Sequence, residues 1–325
     1  MKKGRFAPSP TGRMHLGNVF CALLSWLSAK SGGGEWLLRI EDLDPQRSKK
    51  DYALQLMDDL QWLGLPWDGE PVWQSQRGDI YEEYLQRLTD MGLTYPCFCT
   101  RADIMATQAP HETDGRVVYK GTCRPKDVIL DAENDVADTA RVPTATNHIS
   151  PSIEGGVGVG LATTRLIVPD CTIPFTDGHY GRHDINLAEH CGDYIIRRKD
   201  GAWAYQLAVV VDDALMGVTE IVRGRDLLLS SPQQIHLREL LFPSALTVNV
   251  LHHPLLCNAE GQRLCKRDKS MDLGYLRDKG TTPQEIIGLL AHYAGLIEQP
   301  YSTGPEELLT LFSWDKVPTE DIITL

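Results

Sequence analysis

Short apolar runs alternate along this chain with amphipathic stretches, and the spacing switches from strand-like to helical and back. "GRFAPS" at residues 4–9 reads as a strand that must end at the prolines, which lack the N–H that a central strand donates. From about residue 17 to 30, apolar positions 19, 20, 23, 24, 26 and 27 keep helical spacing. "GGGEWLLRIEDLD" predicts a turn and then a buried strand, with Trp36, Leu37, Leu38 and Ile40 nearly continuous. Strand, helix and strand in succession make a βαβ unit, so parallel strands and a right-handed crossover are expected. "SKKDYALQLMDDLQWLGL" and "DIYEEYLQRLTDMG" predict two more amphipathic helices, the second stopped by Gly92.

Residues 95–125 carry cysteines and many turn formers, and 127–160 are small and polar with no sustained period, as expected of a loop or disordered insertion. "TTRLIVPDCTIPFTDG" predicts two short strands around Pro169–Asp170. Between residues 193 and 228 the runs look strand-like, interrupted by "KDG", a hairpin signal. "SPQQIHLRELL" predicts a helix with Ser231 as its cap and Pro232 at its first position, and "TPQEIIGLLAHYAGLI" a further capped helix before a short tail. No internal repeat is visible.

Composition changes this picture little. With 325 residues, 42% hydrophobic and 23% charged, the chain reads as a soluble protein of one large domain plus appendages. A net charge of −12 argues against a broad nucleic-acid surface but leaves room for local basic patches. The eight cysteines lie at 21, 97, 99, 123, 171, 191, 257 and 265, and only three cluster, so a reducing cytoplasm fits better than a disulfide framework. Lys2, Lys3 and Arg5 precede the apolar "VFCALLSWLSA", but two prolines, Gly12, Arg13 and His15 intervene, which speaks against a signal peptide. The apolar runs are too short to span a membrane, and no heptad argues against a monomer.

The chemistry starts in "APSPTGRMHLGN", residues 7–18, a strand-to-helix connection dense in backbone-shaping residues. Such a turn aims a helix N-terminus, with its unpaired N–H groups, above the sheet, where anions and phosphates bind. Gly12 and Gly17 allow close backbone approach, and His15 and Asn18 add directional donors. "RFAPSPTGRMHLGN" resembles the first signature of class I aminoacyl-tRNA synthetases of the glutamyl branch, with His15-Leu16-Gly17-Asn18 in the place of the HIGH tetrad. The resemblance implies that His15, Gly17 and Asn18 hold ATP, accompanied by Mg2+, and that His15 and Asn18 offset charge as the α-phosphate is attacked.

That class pairs its first motif with a lysine loop, and "RLCKRDKSMDL" offers two overlapping candidates, Lys266 and Lys269. Arg263-Leu-Cys-Lys266-Arg267-Asp268 is closer to the glutamyl form KLSKRD, so Lys266 is the expected catalytic, ATP-contacting lysine. Arg263 and Cys265 depart from that form. By the same resemblance Arg5 and Arg223 would engage the carboxylates of L-glutamate, Glu41 its ammonium, and Tyr205 and Ser9 would complete the hydrogen bonds. A guanidinium fork matches a carboxylate with two charge-assisted bonds, and a neutral amide would leave such a pocket unpaired.

Cys97-x-Cys99 with Cys123 can hold a structural zinc, the fourth ligand being Tyr119 or His111 on spacing alone. The resemblance favours Tyr119, since glutamyl synthetases often carry Cys-x-Cys followed by Tyr-x-x-x-Cys. The expected fold is α/β: a Rossmann-type parallel-sheet nucleotide domain with an inserted zinc-bearing subdomain and a short C-terminal helical segment. Its expected divisions are 1–94 and 191–245 for the two halves of the catalytic domain, 95–190 for the insertion, and 246–325 for the lysine loop and C-terminal helices. Only a short tail follows Ser270, where complete glutamyl synthetases continue into an anticodon-reading domain. The chain is therefore similar to the truncated members of the family, which activate glutamate with ATP and transfer it to queuosine in the anticodon of tRNA(Asp). The competing expectations are a glutamyl synthetase fragment acting on tRNA(Glu), a non-catalytic glutamate- or RNA-binding paralogue, and a small nucleotidyltransferase.

Overall fold

The computed structural model describes residues 1–106, 118–126, 162–264 and 272–324. Lys266, Lys269, Cys265, His111 and the segment 127–160 lie outside the described residues.

The expected βαβ unit is present. Strand β1 (Lys3–Phe6) leads through the glycine- and proline-rich turn into helix α1 (Leu16–Ser31), and strand β2 (Glu35–Ile40) returns parallel to β1 with Arg5 opposite Leu37. Val19, Phe20, Leu23, Leu24 and Leu27 of α1 are fully buried, so this helix is the centre of the main core. Helix α2 (Lys50–Trp62) crosses to the short strand β3 (Val72–Trp73), which pairs parallel with β2. Helix α3 (Gly78–Asp90) then ends just before Gly92, whose φ of +73° a residue with a side chain would resist.

An antiparallel excursion follows. Strand β4 (Thr94–Cys97) precedes helix α4 (Arg101–Ala106), and strand β5 (Thr163–Leu166) pairs with β4. Strands β6 (Thr172–Asp177) and β7 (Gly181–Asn186) form a hairpin, the single-turn helix α5 (Leu187–His190) follows, and strand β8 (Tyr194–Arg197) completes a three-stranded sheet in the order β4-β5-β8. The "KDG" turn reverses the chain as expected, with Gly201 at φ +82° and Arg197 paired with Trp203.

Between Tyr205 and Leu215 the strand-like reading is overturned, while Glu220–Gly224 bears it out. Residues 205–215 form helix α6 (Tyr205–Leu215), in which Leu207, Ala208, Val209, Val210, Val211, Asp212 and Asp213 are all buried. A segment covered on every side loses its helical period, and its β-branched run then imitates a strand. Strand β9 (Glu220–Gly224) follows, then a 3-10 turn over Arg225–Ser230 that runs directly into helix α7 (Ser231–Leu241). Ser230 therefore occupies the cap position expected for Ser231, and Pro232 sits one place deeper. The Ser231 hydroxyl is engaged elsewhere, by Arg223 at 2.9 Å.

Strand β10 (Asn249–His253) pairs parallel with β9, setting His252 opposite Arg223. The Thr219 N–H donates to the Lys3 carbonyl at 2.9 Å, which brings this pair alongside β1. Strand β11 (Leu256–Cys257), helix α8 (Leu273–Asp278) and helix α9 (Pro283–Tyr293) come next, with a capping box between Thr282 and Glu285 at the start of α9. The tail does more than trail away. It returns as strand β12 (Ile322–Ile323), pairs parallel with β11, and places Asp321 to accept the Leu255 N–H at 2.9 Å. Among the described residues no helix is long and apolar enough to cross a membrane.

Candidate active site

A cleft of about 500 Å³ opens at the carboxyl ends of β1, β2 and β9, between the turn before α1 and the start of α6. Ligands in open α/β sheets bind at such strand ends. Its lining gathers Arg5, Ser9, His15, Gly17, Asn18, Glu41, Tyr205 and Arg223, every residue expected at the site except Lys266 and the cysteine group.

His15 is the N-cap of α1. Its Nδ1 accepts the Gly17 N–H at 3.1 Å, and the Asn18 side chain accepts the His15 N–H at 3.1 Å, closing a capping box. Because Nδ1 is an acceptor here, the proton of the neutral ring is carried by Nε2, the nitrogen suited to donate to an anion. A Cβ at residue 17 would stand 2.9 Å from His15 Cε1, so glycine is what lets the imidazole lie over the first turn. Asp272 forms an isolated bridge with His15, and Leu273 N–H donates to the Met14 carbonyl at 2.9 Å. On the other side Arg263 and Leu264 line the cleft, Arg263 paired with Asp226. The flank after residue 271 thus meets the turn before α1, and the flank before residue 265 lines the same cleft.

Two buried arginines, Arg5 in the cleft lining and Arg39 behind it, meet one acid. Arg5 Nε donates to Asp213 Oδ1 at 3.1 Å, and Arg39 Nη1 to the same oxygen at 2.5 Å. Burial alone would raise the Asp213 carboxyl, yet Arg39 and Arg5 hold it below the usual carboxylate range. Arg39 also reaches Glu41 at 3.1 Å, but there burial wins and pushes the Glu41 carboxyl up. A bound ammonium would restore its charge. Tyr205, 37% exposed, stands in the cleft mouth.

Arg223 is 4% exposed, and all its described partners are neutral acceptors. Nε donates to His252 Nε2 at 2.9 Å, Nη1 to Gln234 Oε1 at 2.7 Å and Nη2 to Ser231 Oγ at 2.9 Å. Among the described residues it makes no salt bridge, and burial lowers its pKa. A buried guanidinium without a carboxylate in contact has the chemistry to take one.

Sequence reasoning missed Arg39, Asp213, His252, Gln234 and Ser231. Two signals were readable: an acidic pair inside the apolar "AVVVDDAL", and a histidine pair inside "VNVLHHPLL". Charged or polar groups within apolar runs must find partners when buried.

The cysteine group lies outside the cleft lining. Sγ atoms of Cys97, Cys99 and Cys123 all lie within 4.8 Å of one another, and the Tyr119 hydroxyl is 3.4 Å from Cys97 Sγ and 3.7 Å from Cys99 Sγ. Gly192 packs so closely on Tyr119 that a Cβ would meet its carbonyl oxygen at 2.3 Å. Although burial opposes it, the Phe98 N–H and the Tyr119 hydroxyl pull the Cys123 thiol down to about 7, so it is partly thiolate at neutral pH. Three converging sulfurs and a phenol oxygen fit a structural metal ion.

Residues 3–299 match the model of tRNA synthetases class I (E and Q), catalytic domain. The chain is 40% identical to glutamyl-Q tRNA(Asp) synthetase of Nitratidesulfovibrio vulgaris over 100% of its own length and 96% of the relative's, and 42% identical to that of Symbiobacterium thermophilum over 98% and 94%. Among solved structures it is similar to a glutamate tRNA ligase from Elizabethkingia meningosepticum in complex with its amino acid, with a TM-score of 0.76 and 26% identity. It covers 97% of this chain and 65% of that one. The glutamate-tRNA synthetase of Elizabethkingia anophelis gives a TM-score of 0.78 and 26% identity over 100% and 68%. The chain belongs to the catalytic-domain family of the class I tRNA synthetases for E and Q.

Proposed function

We propose that this chain activates L-glutamate with ATP and transfers the glutamyl group to the queuosine base of tRNA(Asp). The observation that carries the reading is the meeting, in one cleft, of the His15–Asn18 phosphate turn with Arg5, Glu41, Tyr205 and Arg223. Arg223 and Arg5 take the two carboxylates of glutamate, Glu41 its ammonium, and Tyr205 and Ser9 the remaining hydrogen bonds. An oxygen of the α-carboxylate attacks the α-phosphorus of ATP, the bond to the bridging oxygen breaks, and pyrophosphate leaves. His15 Nε2–H, Asn18 and Lys266 offset the charge gathered on phosphorus, and Mg2+ accompanies the nucleotide. A hydroxyl of the queuosine cyclopentene diol then attacks the mixed anhydride, and AMP departs.

The choice of acceptor rests on the relatives, which are matched over nearly their whole length and are named for tRNA(Asp). Cys97, Cys99, Tyr119 and Cys123 hold a zinc ion whose role is structural, pinning the excursion after β4. The reaction belongs in the cytoplasm, where the chain works as a monomer.

Transfer of labelled glutamate is the test, with ATP and separately purified tRNA(Asp) and tRNA(Glu). Label on tRNA(Asp), lost when queuosine is absent, is the expected outcome, and label on tRNA(Glu) alone overturns the acceptor assignment.

A further inference from the structure

His252 lies between Arg223 and a carboxylate that the catalytic reading does not use. Its Nδ1 is 2.6 Å from Asp177 Oδ2 and its Nε2 accepts the Arg223 Nε–H at 2.9 Å. A carboxylate can only accept, so Nδ1 carries the proton; the Nε2 lone pair then faces the arginine. Both bonds exist only in the neutral Nδ1–H form of the ring. Asp177 is fixed in turn at the β6–β7 corner, where its Oδ1 accepts the N–H groups of His179 at 2.9 Å and Tyr180 at 2.8 Å. Asp177 and His252 are 2% and 0% exposed.

The other arginine partners are equally constrained. Gln234 donates through Nε2 to Gln206 Oε1 at 2.8 Å, which turns its own Oε1 toward Arg223. Of the five N–H bonds of a guanidinium, these three bonds leave one on each terminal nitrogen, and the Tyr205 hydroxyl, itself a cleft residue, is a further neutral partner beside them. Had Asp177 contacted Arg223 directly, it would have filled the fork that a substrate carboxylate needs. With a neutral imidazole between them, the acid compensates the buried cation from a distance and leaves those donors free of any carboxylate among the described residues.

We infer that the buried Asp177–His252 pair is a positioning device for Arg223, orienting its guanidinium and supplying remote counter-charge so that two N–H groups stay available to the side-chain carboxylate of the substrate. The inference rests on the reading of Arg223 as a glutamate-binding residue. Neither Asp177 nor His252 touches substrate in it, and discrimination against a neutral amide substrate depends on both.

Glutamate- and ATP-dependent pyrophosphate exchange in the full chain tests it, with melting temperature as the control for folding. Asp177→Asn offers an amide N–H to Nδ1, which moves the ring proton to Nε2 and sets it against the Arg223 donor. Asp177→Asn and His252→Leu are expected to raise the KM for glutamate about tenfold, the loss of one well-oriented charge-assisted bond, while the KM for ATP stays within about twofold. His252→Gln, whose amide accepts from arginine and donates to aspartate, is expected to recover most of the affinity. An unaltered glutamate KM in folded His252→Leu, or parallel rises for glutamate and ATP that His252→Gln does not relieve, overturns the inference. Arg223→Gln separates the two layers: if it leaves the glutamate KM unchanged, the reading of Arg223 itself falls and the positioning role with it. If Arg223→Gln raises that KM and His252→Leu does not, only the positioning role falls.

Discussion

The imidazole of His15 lies over Gly17, receiving its N–H on Nδ1 at 3.1 Å, with no room for a methyl group beneath the ring. Gly17→Ala should therefore move the ring rather than unfold the helix. Alanine in the first turn of α1 is the better helix former by up to about 1 kcal/mol, which offsets the cap bond lost when the ring moves, so the melting temperature should change little. Glutamate-dependent pyrophosphate exchange should fall about tenfold or more, and retention of full exchange would detach the His15 pose from catalysis.

His15→Ala gives the companion result. Exchange should fall by about two orders of magnitude, as for loss of one preorganised donor to a charged transition state. Removing the cap interaction should cost only about 1 kcal/mol in denaturant unfolding.

Asp213 anchors Arg5 and Arg39 together. Replacing it with asparagine takes from buried Arg5 its carboxylate partner and leaves Arg39 with Glu41 and Asp212, and should cost about 3–5 kcal/mol of stability together with a large rise in the glutamate KM. Urea unfolding and exchange kinetics on the same preparation check both halves.

Burial pulls His236 on α7 and His253 on β10 down from 6.5 to about 4. Between those values the unfolded chain binds more protons than the folded one, so stability is complete above pH 6.5 and is lost as pH falls toward 4. Each histidine contributes on the order of 3 kcal/mol to that loss. His236→Leu should flatten the acid limb of a plot of unfolding free energy against pH, and an unchanged slope would show that His236 is not the group titrating.

Metal analysis of the purified protein should find one zinc per chain, lost on Cys97→Ser or Cys123→Ser. Chelation should lower the melting temperature while leaving pyrophosphate exchange largely intact, because none of the four ligands lines the cleft.

The turn before α1 was legible because its bonds are local: His15, Gly17 and Asn18 are neighbours in sequence and in space. The βαβ unit was legible because helical and strand periods differ plainly in the first forty residues. Helix α6 was not, since burial on all sides erased the polar face that marks a helix. The partners of the expected arginines were hidden for another reason. Asp213 meets Arg5 across 208 positions and His252 meets Arg223 across 29, and no single-sequence pattern encodes such pairings. The return of the tail to β11 was invisible likewise, because a two-residue strand carries no period.

The distance between Arg5 and Asp213 along the chain has a kinetic meaning. Closing a loop of that length is paid in chain entropy before its contacts reward it, and the Ser28–Glu220 bond spans 192 positions in the same way. Helices α1 to α3 have mostly local bonds to make, but the cleft lacks Tyr205, Val222 and Arg223 until the distant segment anchored by Asp213 and Glu220 docks. On refolding from denaturant, helical signal will therefore precede the ability to bind nucleotide and glutamate, and a chain caught between the two stages is helical yet inert.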